Sequence, residues 1–428
     1  MSKYRVQGGN RLVGDIYIGG CKNACLPILS AVVLANDVCR ISNIPNISDA
    51  LLSLDILEAL GAKIKRINKN TVDIDPRTIT SHVVPHDLAQ HMRASYYFLG
   101  SLLGRFGDAR VSMPGGCNFG VRPIDQHLKG FQALGATVPA IIENGMIDAS
   151  ATQLIGNSIY LDVVSVGATI NVMLAAVKAR GTTIIENAAK EPHVVDVANF
   201  LNTMGADVRG AGTDTIKICG VRVLHGVEYS IIPDQIEAGT YMACAVATGG
   251  DIILHGVIPK HLESISAKLR EMGAQVSEDD DLVHVIMEGP IKACNVKTMP
   301  HPGFPTDMQP QVAALLAIAE GTSIITESIW DNRFRYVDEL RRMGAQATVD
   351  GKVAVFQGVK SLNGCPVKAV DLRAGAAMMI AALAANGQTE IEDIQYIERG
   401  YENFLEKLHS VGADICRIDI PTITSMRA

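Results

Sequence analysis

Several short stretches of this 428-residue chain carry residue types able to do chemistry, at spacings that the surrounding pattern does not require. The first is Gly19-Gly20-Cys21-Lys22-Asn23-Ala24, which leads into an apolar run ending at Ala35. A helix starting there presents unsatisfied N–H groups, whose partial positive charge favours an anion over a lysine. Lys22 and those groups together would hold a phosphate or carboxylate. A solvated lysine beside a cap is the other reading, and the residues alone leave both open. The second stretch is Met113-Pro114-Gly115-Gly116-Cys117-Asn118-Phe119-Gly120-Val121-Arg122-Pro123-Ile124-Asp125. Its glycines describe a loop whose backbone can approach a ligand closely. Its thiol is either a proton donor or nucleophile influenced by the arginine, or an inert cysteine in an ordinary loop. In Met299-Pro300-His301-Pro302-Gly303-Phe304-Pro305-Thr306-Asp307-Met308-Gln309 the prolines stiffen the approach to a helix expected over Met308–Ala319. Asp307 falls in its first turn, as a simple cap or as a rigidly held base for a hydroxyl. Arg93, Arg333, Arg373 and Arg399, taken singly, read as surface or ion-pair arginines.

These stretches must be positioned by a repeat. A helix end bearing Leu or Met, then Gly-Ala and a polar strand, recurs at Gly61-Ala62, Gly135-Ala136, Gly205-Ala206, Gly273-Ala274, Gly344-Ala345 and Gly412-Ala413. The intervals are 74, 70, 68, 71 and 68 residues, so six units fill the chain. A second marker precedes each: Asn36-Asp37, Gly107-Asp108, Gly181-Thr182, Gly250-Asp251, Gly321-Thr322 and Gly387-Gln388. In the third unit the pattern predicts a strand over Ser158–Val164, a helix over Val166–Ala179 and a strand over Thr182–Glu186. A second helix opens at Glu191-Pro192 and runs to Gly205, followed by strands Ala206–Gly210 and Thr215–Gly220. The order is β-α-β-α-β-β, with the glycine of Gly-Ala as the residue just past the helix end. Three such units can bury their helices against one another, which predicts two lobes of three units. Their boundary falls near Ile231-Ile232-Pro233-Asp234, with a hinge and a cleft between the lobes.

Composition bounds the function. A formal charge of −7 lacks the basic footprint of a nucleic-acid partner. Apolar residues make up 48%, ample for a large core. The apolar stretch Val163–Val177 contains Ser165, Thr169 and Asn171 and is too short to span a bilayer. No apolar segment follows Met1-Ser2-Lys3-Tyr4-Arg5, and nine unpaired-looking cysteines suit a reducing cytosol, so a cytoplasmic α/β protein is expected. No phosphate-loop or dinucleotide fingerprint follows a strand. His82, His86 and His91 have loosely metal-like spacing, but Pro85 interrupts any helix that would align them, and surface histidines are expected.

Taken together, the six-fold repeat, Cys21-Lys22-Asn23-Ala24, Pro114-Gly115-Gly116-Cys117 through Arg122-Pro123, and Pro302-Gly303-Phe304-Pro305-Thr306-Asp307-Met308-Gln309 resemble the UDP-N-acetylglucosamine 1-carboxyvinyltransferase family of enolpyruvyl transferases. Ser165-Val166-Gly167-Ala168-Thr169, Asn332-Arg333-Phe334, Asp371-Leu372-Arg373-Ala374 and Arg399-Gly400-Tyr401 extend the resemblance over essentially the whole chain. It implies two inside-out α/β barrel domains, each of three βαβαββ repeats with pseudo-threefold symmetry. One lobe would be 22–232 with the Cys117 loop; the other, 1–21 and 233–428, would carry Asp307 and Arg399, with the active site in the cleft. The implied reaction adds the 3′-hydroxyl of UDP-N-acetylglucosamine to the central carbon of phosphoenolpyruvate, then eliminates phosphate, opening peptidoglycan synthesis. No metal or organic cofactor is implied.

The resemblance assigns Lys22, Arg122 and Arg399 to the phosphate and carboxylate of phosphoenolpyruvate, which need cations if they are to be buried. Cys117 is the implied acid toward the methylene carbon, and Asp307 the acceptor of the sugar hydroxyl proton. The matching nucleotide-sugar positions are Asn23, Arg93, Ser165, Val166, Gly167, Asp307 and Ile329; Pro123, Ile124, Asp125 and Arg333 are further implied substrate-binding positions, and Arg373 assists turnover or product release. Cys21, Asp331, Glu398, Val163 and His193 depart from the family's commoner residues, which bears on nucleotide affinity and lobe dynamics rather than on the proposed acid and base. The nearest rival is shikimate-phosphate enolpyruvyl transfer, whose family lacks this Cys loop and Asp segment. A rival of another class is a catalytically idle sugar-nucleotide-binding regulator.

Overall fold

The computed structural model describes residues 2–113, 124–138 and 145–419. The chain divides into two compact units, one within 20–232 and the other combining the first 19 residues with those from 233 onward.

Gly-Ala is explained by the way each repeat ends its second helix. At all six sites the glycine takes a left-handed φ between 88° and 110°. Its N–H and that of the following alanine turn back to two carbonyls of the last helical turn, as Gly61 and Ala62 do to Glu58 and Leu57. This closure satisfies carbonyls that would otherwise be orphaned, and only glycine adopts the required φ without strain. The third repeat shows the elements in order: strand Ser158–Tyr160, helix Val166–Ala176, strand Thr182–Glu186, helix Pro192–Thr203, and strands Asp207–Arg209 and Thr215–Cys219. Relative to the expectation, the first strand is shorter, since Asp162 to Val164 bend away exposed, and the first helix ends at Ala176.

Each sheet has one plan. A short strand pairs parallel with the strand after the second marker, which pairs antiparallel with the last strand of the repeat, and that one with the strand after Gly-Ala. Among the described residues five sheets are four-stranded, and in the second repeat Asp108–Ser112 and Met146–Ser150 form a two-stranded ladder, flanked by single bridges at Val83 and Thr137. Each unit closes by borrowing strands from its far ends. Glu228–Ser230 joins Cys39–Ser42, so the end of the 20–232 unit completes its first sheet. In the other unit Val13–Tyr17 joins Asp251–His255, and Ser2–Gln7 lies between Gln388–Glu392 and Asp414–Asp419.

The first helix of each repeat has no polar face and must be buried all round. Lys22–Ala31, Tyr97–Phe106 and Val166–Ala176 form the centre of one unit, and Gln235–Ala247, Gln309–Leu316 and Leu372–Ala384 that of the other. The sheets surround these helices with alternating buried and solvent-facing residues, which is the inside-out arrangement.

The two chain crossings are tied locally. Cys21 N–H donates to the Ile232 carbonyl at 2.7 Å, and Asp234 N–H to the Gly19 carbonyl at 2.9 Å. Gly20 admits no side chain, because a Cβ there would lie 1.7 Å from the Asn43 carbonyl oxygen. Asp196, 2% exposed, accepts from the Tyr229 hydroxyl at 2.6 Å and from Ile232 N–H at 3.3 Å, and so braces the second crossing. Burial pushes its carboxyl up to about 6, against the lowering effect of those two donors.

A folded-state pKa above the unfolded value means that this group's favourable contribution is complete below the unfolded pKa and is lost as pH rises through about 6. Asp196→Asn should therefore melt about 5 °C above the parent near pH 7.5 and level with it near pH 4. A constant difference across that range would show that the carboxyl does not titrate as described.

Candidate active site

All three central helices of a unit begin at one end, because each is the first helix of its repeat. In the 20–232 unit that end is cationic and poor in carboxylate caps. Helices Lys22–Ala31, Tyr97–Phe106 and Val166–Ala176 carry no acidic residue in their first turns, and Cys21 lends no side-chain cap. Such N-termini favour a negatively charged ligand. Lys22, at the start of its helix, is 12% exposed and pairs with Asp49 at 2.7 Å, so it is not the solvated lysine that the sequence left open. Asn23 follows it, half-buried. Arg93 opens the single turn Arg93–Tyr96 that leads into the second helix, its guanidinium 5.8 Å from the centre of the Tyr96 ring.

Ser165 caps the third helix through its hydroxyl, which accepts from Ala168 N–H at 3.3 Å; Val166 and Gly167 form the first turn. A Cβ on Gly167 would lie 2.7 Å from His127 Nε2 and 2.9 Å from the Tyr96 hydroxyl, so the absent side chain lets this turn approach both. His127 is 5% exposed, and among the described residues neither ring nitrogen has a hydrogen-bond partner. Burial, aided by nearby Arg93, drives its pKa down to about 4, so the imidazole is neutral at pH 7. Sequence reading passed over His127, Tyr96 and Asp49, since only folding brings them to Gly167 and Lys22. Ile124 is buried at the start of helix Asp125–Ala133, with Asp125 exposed in its first turn. Cys117, Arg122 and Pro123 lie outside the described residues.

The corresponding end of the other unit is anionic at its caps. Asp234 and Asp371 accept from the first N–H groups of helices Gln235–Ala247 and Leu372–Ala384. Asp307 sits in the single turn Thr306–Met308 before Gln309–Leu316, somewhat later than the expected helix start. Its carboxylate faces two buried guanidiniums. Arg373 reaches Oδ2 through Nη2 at 3.0 Å and Nε at 3.3 Å, and Arg333 reaches Oδ1 at 3.4 Å. These arginines are 5% and 2% exposed, against 30% for Asp307, so of the two readings the sequence left they are ion-pair rather than surface arginines. Burial opposes the charge on Arg373, but Asp307 and Tyr401 more than restore it.

A carboxylate that sequence reading missed shapes the approach. Glu327, 1% exposed, accepts from the hydroxyls of Thr298 and Thr306 and from the N–H groups of Ile329 and Trp330. It thereby fastens the residue before Asp307 to the turn that holds Ile329. Arg399 lies half-buried at the end of the short helix Gln395–Glu398. The structure thus groups Lys22, Asn23, Arg93, Ser165, Val166 and Gly167 at helix starts of one unit, and Asp307, Arg333 and Arg373 in one cluster of the other.

Comparison with known proteins agrees with this architecture. The chain matches the EPSP synthase (3-phosphoshikimate 1-carboxyvinyltransferase) family over residues 6–408. Its fold is that of the enolpyruvyl transferases. The enolpyruvyl transferase NikO from Streptomyces tendae superposes with a TM-score of 0.89 at 29% identity, covering 98% of this chain and 99% of that one. EPSP synthase from Acinetobacter baumannii gives 0.78 at 20% identity, over 98% and 100% of the two chains, a likeness of fold alone. Among curated relatives, UDP-N-acetylglucosamine 1-carboxyvinyltransferase 3 of Caldanaerobacter subterraneus is 57% identical over 98% of this chain and all of its own length. UDP-N-acetylglucosamine 1-carboxyvinyltransferase 2 of Clostridium acetobutylicum is 56% identical over 97% of this chain and 99% of its own. The chain belongs to the enolpyruvyl transferases and, within them, to the UDP-N-acetylglucosamine 1-carboxyvinyltransferase family.

Removing one partner of a buried charge cluster leaves the others uncompensated. Without substrates, Asp307→Ala should lower the melting temperature by roughly 5 °C, and Asp307→Asn by less, because its amide oxygen still accepts from one guanidinium. An unchanged melting temperature in both variants would mean that the arginines do not depend on this carboxylate.

Proposed function

We propose that this protein transfers the enolpyruvyl group of phosphoenolpyruvate to the 3′-hydroxyl of UDP-N-acetylglucosamine, releasing phosphate by addition and elimination through a tetrahedral intermediate. The observation that carries the reading is the near-full-length likeness, at 57% identity, to a relative named for that transfer. The EPSP synthase likeness, at 20% identity, does not extend to substrate. An idle binding protein is disfavoured because Lys22, Cys117, Arg122, Asp307 and Arg399 are all present.

The chemistry follows from the residues. Phosphoenolpyruvate is strongly anionic, and Lys22, Arg122 and Arg399 offset the cost of taking its phosphate and carboxylate out of water. Lys22 is held ready by Asp49. The nucleotide sugar is assigned to Asn23, Arg93, Ser165, Val166, Gly167, Asp307 and Ile329, with Pro123, Ile124, Asp125 and Arg333 as further substrate-binding residues. Its diphosphate suits the helix start at Val166, where neutral His127 offers a nitrogen without adding charge.

Asp307 takes the proton of the 3′-hydroxyl as the new C–O bond forms, and Cys117 gives a proton to the methylene carbon, so the central carbon is electrophilic when attacked. A thiol with a pKa near ~8.5 is still mostly protonated at neutral pH and can donate. The same sulfur can add reversibly to the activated carbon. Loss of a methyl proton and of phosphate then restores the double bond as an enol ether. The guanidiniums hold the carboxylate of Asp307 in place, and an incoming anion competes for them. Arg373 would disengage and return during turnover.

The product places the protein at the first committed step of peptidoglycan synthesis, and hence in cell-wall growth, cell shape and division. No described helix is long and apolar enough to cross a membrane, and we assign the reaction to the cytoplasm, where both substrates would be met. No metal or organic cofactor is required by these steps.

Phosphate should appear only when phosphoenolpyruvate and UDP-N-acetylglucosamine are both present. Turnover with shikimate 3-phosphate instead, or binding without turnover, would favour one of the rival readings. Cys117→Ser should lower kcat by about a hundredfold or more while nucleotide-sugar affinity stays within about threefold. The epoxide phosphonate fosfomycin, which mimics phosphoenolpyruvate, should alkylate Cys117; a mass-spectrometric adduct on another cysteine would remove this residue from the mechanism.

A further inference from the structure

We propose that Tyr401 is a positioning residue for Asp307, acting through Arg373. Its hydroxyl holds the Nη1 edge of the guanidinium, so that the Nε and Nη2 edge meets a single carboxylate oxygen. The inference rests on the reading of Asp307 as the proton acceptor.

Tyr401 is 3% exposed, with its ring packed against Phe404 at 4.7 Å. Its oxygen lies 2.9 Å from Thr240 Oγ1, 3.3 Å from Arg373 Nη1 and 3.4 Å from Gln311 Nε2. The direction of these bonds follows from what each group can give. Thr240 donates its hydrogen to the Ile236 carbonyl at 2.7 Å, so toward Tyr401 it can only accept. Tyr401 therefore gives its one hydrogen to Thr240, and its lone pairs face Arg373 and Gln311, neither of whose nitrogens can do other than donate. Burial holds the phenol above its usual pKa, against the lowering influence of Arg373 and Thr240, so the hydrogen stays in place.

One hydroxyl thus joins the three central helices of this unit, through Thr240, Gln311 and Arg373, to the turn that carries Arg399 two residues earlier. With Nη1 taken, both contacts of Arg373 to Asp307 fall on Oδ2. Oδ1, toward which Arg333 makes only a long contact of 3.4 Å, is the oxygen we assign to the sugar hydroxyl. Without the phenolic oxygen, a guanidinium with 5% exposure has an unpaired donor that water reaches poorly, and it should rotate to spread its hydrogen bonds over both carboxylate oxygens.

The test compares four proteins: the parent, Tyr401→Phe, Arg373→Lys and the double variant, each assayed with both substrates. Tyr401→Phe keeps the ring and its packing. In the parent background it should lower kcat about tenfold and leave both KM values within about twofold. In the Arg373→Lys background, where a single ammonium has no second edge to hold, the same change should lower kcat less than about twofold. Equal fractional losses in both backgrounds would show that the hydroxyl acts independently of Arg373, through Thr240 or Gln311, and an unimpaired Tyr401→Phe enzyme would show that it does not act at all; either result overturns the inference while leaving the assigned reaction standing. A parent protein without turnover would instead defeat the functional reading and, with it, this role for Tyr401.

Discussion

Six helices without a polar face set the terms for this molecule. A helix that is apolar all round has to be covered on every side, and in each unit three of them share the centre while sheets enclose them. Their flanks are therefore unavailable for chemistry. What remains is the end at which the three N-termini emerge, where backbone N–H groups still need acceptors. The two units meet that need in opposite ways. One caps with Asp234 and Asp371; the other leaves its starts without carboxylate caps and sets Lys22, paired with Asp49, and Arg93 beside them. The same architecture has thus produced an acidic end with a clamped carboxylate and a cationic end suited to phosphates.

The clamp on Asp307 has a physical logic of its own. Two buried guanidiniums share its carboxylate, Arg373 on one oxygen and Arg333 on the other. Glu327 and Tyr401 hold opposite sides of this arrangement, one fixing the backbone around Thr306 and Ile329, the other the far edge of Arg373.

Much of the fold was legible because its signals are local. Gly-Ala marks a helix closure written in two neighbouring hydrogen bonds and one φ angle, and it recurs wherever that closure does. Strand Thr182–Glu186 and helix Pro192–Thr203 could likewise be read from β-branching and from a proline in the first turn. The site was legible only as a set of residue types. That Lys22 pairs with Asp49, that Gly167 is a glycine to admit His127 and Tyr96, and that Arg373 divides its donors between Asp307 and Tyr401 are consequences of pairing across distant segments. Arg333 and Arg373 could be read only as surface or ion-pair arginines for the same reason, since an arginine's own neighbours in sequence do not reveal that a carboxylate waits for it in the core.

The central chemical claim is that the methylene carbon of phosphoenolpyruvate gains a proton and later loses one, with a saturated intermediate between. Running the reaction in deuterium oxide and examining the enolpyruvyl methylene of the product by NMR tests this most directly. Deuterium is expected on that carbon, because the methyl group formed in the addition step releases any of its hydrogens. A product whose methylene hydrogens all derive from the starting phosphoenolpyruvate would contradict addition and elimination, and with it the roles given to Cys117 and Asp307.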